Sequence, residues 1–173
     1  MEDLWVFGYG SLMWRPGFDY LESQKATLHG LHRRLCIYSW EHRGTRENPG
    51  LVLGLDAGGS CRGVVFRVAP SKRDEVIAYL REREMMNNVY YEAMRSVVTE
   101  DGQKLKALTY CAVKGHQQYA PRLSLDETLN QIRGSVGQSG RNEDYVISTV
   151  QKIEGMGAQD QKLAEIARHL KTD

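Results

Sequence analysis

The chain lacks an excess of charge of either sign. Its 23 lysines and arginines nearly balance 22 aspartates and glutamates, for a formal net charge of +1 over 173 residues. That removes the general electrostatic argument for a nucleic-acid partner or a membrane surface. Long hydrophobic runs are missing too, and none approaches the ~20 residues that span a bilayer. Met1 to Asp3 make no basic leader and no signal-peptide pattern follows, so a cytoplasmic location is expected. Cysteine is scarce. Cys36, Cys61 and Cys111 lie far apart in apolar or alternating segments, with no C-x-x-C pair. This excludes the common zinc and redox motifs and predicts buried free thiols. With no internal repeat and no low-complexity linker, residues 1–173 read as a single domain able to bury a sizeable core.

What is present divides by texture. Leu4 to Phe7 is an apolar run suited to a buried strand. Ala26 to Trp40 reads as a long or bent strand pair, and His42 to Gly50 as a polar loop punctuated by glycine and proline. The segments LVLGLDA and CRGVVFRV, around Gly58-Gly59, predict a hairpin. Ser71 to Glu84 is helical in period, with Ser71 and Asp74 spaced as a capping pair. Two β-type runs flank Asp101-Gly102, a strong hairpin signal. From Ser124 the period becomes helical. Ser124 and Glu127 form a second capping box, Asn142 precedes another helix as its cap, and Leu163, Ile166, Ala167 and Leu170 recur at helical spacing. The fold class expected is α+β: six or seven short, largely antiparallel strands in a barrel-like sheet, flanked by helices, with a helical C-terminal third.

The opening FGYGSLMW resembles the start of a dinucleotide fingerprint, but the third glycine position is Met13, Pro16 and Gly17 follow at once, and no βαβ alternation continues. GSVGQSGRN has no G-K-[ST] and is no phosphate loop. Glycine has a second use: it lets a ligand approach the backbone and exposes N–H groups. Gly8 to Leu12 could present such donors to a carboxylate or an oxyanion. Spacing equally admits a plain tight turn in which Ser11 caps a short helical turn.

Glu84 is the second candidate. At ~100° per residue, Ile77, Leu80 and Glu84 share one stripe, while Glu82 points nearly opposite. A carboxyl group on an apolar stripe at a helix C-terminus has two reasons for a raised pKa, which suits a general base near neutral pH. The alternative is that the helix ends earlier, or that an arginine pairs with Glu84. His29 and His32 would face opposite sides of a strand, which does not make a metal site. His42 and Arg43 sit in a polar loop, where an arginine could hold a carboxylate bidentately. Tyr119 reads as a packed loop tyrosine.

In order along the chain stand VFGYGSLMWRP, HRG, RERE, YAPRLSL and GQSGRNEDY. Together they resemble the ChaC family of γ-glutamylcyclotransferases, over about Leu4 to Leu170. The resemblance implies a mixed barrel-like sheet flanked by helices. It implies a carbon–nitrogen lyase that cleaves glutathione into 5-oxoproline and Cys-Gly, without metal or organic cofactor. It places the γ-glutamyl-binding loop at Val6, Phe7, Gly8, Tyr9, Gly10 and Ser11, with Leu12 adjoining, and the catalytic glutamate at Glu84. Arg43 and Tyr119 are the secondary substrate-contact candidates. A monomer acting on a small molecule, with no nucleic-acid or membrane partner, is expected. Two stretches depart from the family pattern, MMNNVYY after RERE and CRG at Cys61 to Gly63, and both bear on the half of the pocket that would receive Cys-Gly. A cyclotransferase for other γ-glutamyl compounds and a non-catalytic binding regulator are the competing functions.

Overall fold

A computed structural model describes residues 2–85 and 87–172. Met1, Met86 (within MMNNVYY) and Asp173 lie outside them. The chain divides into two compact units: residues 1–33 with 55–116, and residues 34–54 with 117–173.

The strands are β1 (Leu4–Gly8), β2 (Glu22–Ser39), β3 (Gly50–Val68), β4 (Tyr90–Thr99) and β5 (Lys104–Ala112). They close a barrel in the order β1-β3-β2-β4-β5. β1 runs antiparallel to β3, from Leu4↔Val68 to Gly8↔Val64, and parallel to β5 at Val6↔Leu108. β4 and β5 form the expected hairpin, in register from Tyr90↔Ala112 to Val98↔Lys104. Gly102 at the turn has φ +88°, a conformation open to glycine at no steric cost. Closure leaves β1, a five-residue strand, with no free edge.

In the first unit, α1 (Arg73–Glu84) lays Val76 and Leu80 on a cluster containing Leu4, Val6, Leu12 and Tyr110. Each fully buried aliphatic side chain here contributes about 1.5–3 kcal/mol. The buried partner of Leu80 is Val76, with Ile77 only partly covered. Among the described residues no helix is long and apolar enough to cross a membrane.

The second unit holds α2 (Leu125–Ile132), a two-stranded ribbon of β6 (Val136–Gly137) and β7 (Gly140–Arg141), α3 (Asn142–Gly155) and α4 (Gln161–Lys171). The Ser124–Glu127 capping box forms in full. α4 buries Leu163, Ala167 and Leu170, and Asp160 caps it by accepting from the Leu163 N–H. Cys36, Cys61 and Cys111 are buried thiols, outside any disulfide among the described residues.

Four local expectations need correction. Gly58-Gly59 is not a hairpin turn: β3 runs straight through both, their positive φ values (+100° and +68°) bending one continuous strand. The His32 ring of β2 lies over this bend, with Nδ1 3.0 Å from the Gly58 carbonyl oxygen. Ala26 to Trp40 is likewise not a pair of strands but the bulk of β2, in which Gly30 takes φ +98°. Ser71 caps nothing, because Pro70 opens a 3-10 turn that carries the chain past it, and α1 starts only at Arg73 with Lys72 as an N-cap lacking a side-chain bond. Asn142 is the first helical residue of α3 rather than its cap. Its buried amide accepts from the Leu51 N–H (2.8 Å) and donates to the Leu51 carbonyl (2.9 Å).

Candidate active site

β1 delivers the glycine loop. Val6 and Phe7 are fully buried, so their side chains are core and only their backbone is on offer. Thr109 Oγ1 donates to the Phe7 carbonyl at 3.1 Å. At Gly8 the chain folds back on itself: a Cβ there would lie 2.9 Å from Leu12 Cβ and 3.2 Å from the Met13 nitrogen. Beneath it, Gly63 of β3 has no room for a side chain against the Gly8 carbonyl and the Phe7 ring. Two glycines therefore set how closely β1 approaches β3 and how sharply the loop turns. A 3-10 turn over Ser11–Met13 follows, with Leu12 buried and Ser11 exposed. Ser11 does not cap this turn. Its hydroxyl instead accepts from Arg83 Nη2 at 2.9 Å.

Arg33 fixes the loop from below. Its side chain is 7% exposed. Nε donates to the Tyr9 carbonyl and Nη2 to the Arg62 carbonyl, both at 2.6 Å. In a trans peptide the C=O and the following N–H point in opposite directions. Holding the Tyr9 carbonyl on Arg33 therefore aims the Gly10 N–H away from that guanidinium; Gly10 is half-buried and is followed by the exposed Ser11.

Glu84 closes α1, one turn beyond Leu80, with its side chain 18% exposed. The helix thus extends to Glu84, and the stripe carries it toward the core. Burial holds its pKa above the ordinary carboxylate range, and the Arg83 charge, with Nε 3.5 Å from Glu84 Oε1, pulls in the opposite direction without reversing it. Both earlier readings of Glu84 are therefore partly realised: it has an arginine neighbour and keeps a raised pKa.

Tyr110 of β5 lies in the same cluster. Its hydroxyl donates to Glu92 Oε1 at 2.9 Å, and Glu92 is in turn gripped by Arg81 (2.9 Å). The phenol stays protonated well above its usual range, first through burial, then through the Glu92 bond; the Glu84 charge adds to this. Glu92 itself is pulled down by Arg81.

The structure thus brings the loop and Glu84 together in the first unit, with Arg33, Arg83 and Tyr110 around them. Sequence reasoning missed these three. Arg33 had a legible signal, a charged residue alternating with Leu31 and Leu35 on the buried face of β2. Arg43 and Tyr119 belong to the second unit. Arg43 Nη1 donates to the Arg141 carbonyl (3.1 Å), and its guanidinium lies over the Tyr145 ring at 5.4 Å. Tyr119 pairs with Ile37 in a backbone bridge and accepts from Arg34 Nη2 at 3.1 Å. Each is engaged within that unit. Among the described residues, no group of three or more His, Cys, Asp or Glu is placed to hold a metal.

A family model described as ChaC-like protein matches residues 4–173, spanning both units. The chain belongs to the ChaC-like family. A human relative named glutathione-specific γ-glutamylcyclotransferase 1 is 34% identical over 171 residues, covering 95% of this ChaC-like chain and 77% of the relative. An Escherichia coli (strain K12) relative named glutathione-specific γ-glutamylcyclotransferase is 31% identical over 163 residues, covering 94% of this chain and 71% of its own. The crystal structure of a yeast γ-glutamylcyclotransferase specific to glutathione superposes with a TM-score of 0.84 at 25% identity, over 99% of both chains. The barrel-like mixed sheet with flanking helices is therefore the architecture of this family.

Proposed function

We propose that this ChaC-like chain is a glutathione-specific γ-glutamylcyclotransferase, with Glu84 as general base and then general acid. The observation that carries the reading is a carboxyl group on the buried face of α1, raised in pKa by burial and tied through Arg83 to the glycine loop. The names of the human and Escherichia coli relatives support the substrate.

The substrate's α-amine is protonated near neutral pH and cannot attack in that form. The Glu84 carboxylate takes one proton. The freed amine then adds to its own γ-carbonyl carbon, closing a five-membered ring. Because the nucleophile is tethered, the gain from holding the folded conformer is large. The tetrahedral oxyanion, or the α-carboxylate of the γ-glutamyl group, lies against loop N–H groups from Tyr9 to Leu12, among them the Gly10 N–H that Arg33 orients. The bond from the γ-carbon to the cysteine nitrogen breaks as the protonated Glu84 gives its proton to that nitrogen. The regenerated carboxylate then takes the second proton from the ring nitrogen and passes it to the departing amine, which leaves as the ammonium. 5-Oxoproline and Cys-Gly leave. The proton count balances, and one copy of the chain suffices. Substrate contact by Arg43 and Tyr119 rests on the family resemblance.

Incubating the purified protein with glutathione and quantifying both products tests the reading. Wild type is expected to form 5-oxoproline and Cys-Gly in equal amounts. Glu84→Gln should lose at least ~100-fold in kcat, the order expected for a general base. Equal turnover by the variant removes Glu84 from the mechanism. Turnover of other γ-glutamyl amino acids in place of glutathione would move the specificity, and no turnover of any of them would favour a binding protein.

A further inference from the structure

Arg83 precedes Glu84 and binds in two directions at once. Its Nη1 donates to the carbonyls of Arg15 (2.7 Å) and Pro16 (3.1 Å), and its Nη2 to the Ser11 hydroxyl (2.9 Å). Its Nε edge faces Glu84 Oε1. Nη1 also meets the hydroxyl of Tyr79, one turn back on α1, at 3.1 Å. Tyr79 marks the same contact from the helix side. Gly17, at φ +77°, passes so close beneath it that a Cβ would sit 2.8 Å from Tyr79 Cζ. The segment leaving the glycine loop therefore lies flat on α1 for several residues, with Arg83 fastening its start. The Arg83 side chain is only 20% exposed, which limits competition from water. A planar guanidinium with donors on separate edges can serve all these acceptors together; a lysine ammonium is a single point of charge and cannot.

We propose that Arg83 is a positioning residue for the cyclisation: it sets the separation between the glycine loop and Glu84, so that a γ-glutamyl group held by the loop presents its α-amine to the carboxylate. The inference rests on the reading of Glu84 as the base. Arg83 acts through the loop and through Glu84 and touches no reacting atom itself. Its second effect is electrostatic. Facing Glu84 are the Arg83 charge from α1 itself and the Tyr110 phenol from β5, the latter bound to Glu92 of β4 and through it to Arg81. Of these, Arg83 is the group whose charge favours ionised Glu84.

Steady-state kinetics on glutathione across a pH range, with melting curves as the folding control, separate positioning from bulk structure. KM is expected to rise at least ~10-fold in both Arg83→Lys and Arg83→Met, the order expected for losing hydrogen bonds from a charged donor. The acid limb of kcat/KM should move to higher pH in Arg83→Met, because the charge favouring the carboxylate is gone, and stay in place in Arg83→Lys. Unchanged KM in both variants, or an unmoved limb in Arg83→Met, overturns the proposal. Should Arg83→Met not fold, Arg83→Lys decides: a raised KM with the limb in place supports the proposal, and a wild-type KM overturns it. If the wild type does not turn over glutathione, the proposed reaction fails, and the Arg83–Glu84 coupling is read without substrate. The Glu84 carboxyl, assigned through Glu84→Gln, is then titrated by carbon-13 NMR. A higher midpoint in Arg83→Met supports the coupling, and an equal midpoint overturns it.

Discussion

Gly63→Ala is the sharpest test of how the barrel shapes the loop. The new methyl group would overlap the Gly8 carbonyl oxygen and lie 2.7 and 3.0 Å from Phe7 Cζ and Cε1. Carbon atoms at optimal separation sit about 3.5–4.0 Å apart, so the Phe7 contacts alone are short by roughly 0.5–1 Å. Neither neighbour yields easily. The carbonyl belongs to β1, which is paired to β3 along its whole length, and the Phe7 ring is fully buried among core side chains. β1 must shift, and its end carries the glycine loop. Overpacking of this kind costs about 1–3 kcal/mol. A displacement near 1 Å at a substrate-positioning element costs on the order of 100-fold in rate. Chemical denaturation should report the first loss and kcat/KM on glutathione the second. Gly155→Ala, at the end of α3, is the control, since a Cβ there meets nothing within 4 Å. Its stability should match wild type or exceed it by up to ~1 kcal/mol. A Gly63→Ala protein with wild-type stability and wild-type kcat/KM would refute the close approach of β1 and β3.

Two further outcomes are expected. The folded chain holds the Glu84 proton to higher pH than the unfolded chain does, because burial raises its pKa. Between those two ranges the folded state binds more protons, so stability falls as pH rises through that window. Glu84→Gln removes the titration. Thermal melts from about pH 3 to about pH 8 should show it more stable than wild type above the window and equal to it below; equal melting at every pH would mean that Glu84 is not desolvated. Asn142→Ala should destabilise by about 2–4 kcal/mol, because it leaves the buried Leu51 N–H and carbonyl without their amide partner. Loss below about 0.5 kcal/mol in denaturant unfolding would contradict that double bond.

Much of the first unit was legible residue by residue. The apolar run at Leu4 to Phe7 became β1, Asp101-Gly102 became the turn between β4 and β5, and the stripe through Leu80 carried Glu84 to the buried side of α1. These are local matters of side-chain period and backbone sterics. Gly58-Gly59 shows where local reading stops. Two glycines permit positive φ in a tight turn and in a bent strand alike, and only the neighbouring β2, with His32 over the bend, makes this the latter. Asn142 has the composition of a cap, but the backbone that uses its amide is at Leu51, 91 residues away.

The sequence by itself determined that this is an α+β fold with a glycine-rich loop after its first strand, and it offered a carboxyl group on the apolar stripe of a helix. The tertiary structure decided what those two features are to each other. Arg83 looks like a solvent-facing charge in a linear reading, and the alternation that puts Arg33 on the buried face of β2 does not say what it binds there, since arginine is rarely buried without partners. Their partners are carbonyls of Tyr9, Arg62, Arg15 and Pro16, between 24 and 68 residues distant. No local period encodes such separations. They exist only once the barrel has closed and laid α1 against the loop, and they are what turns an isolated glutamate and an isolated glycine turn into one site.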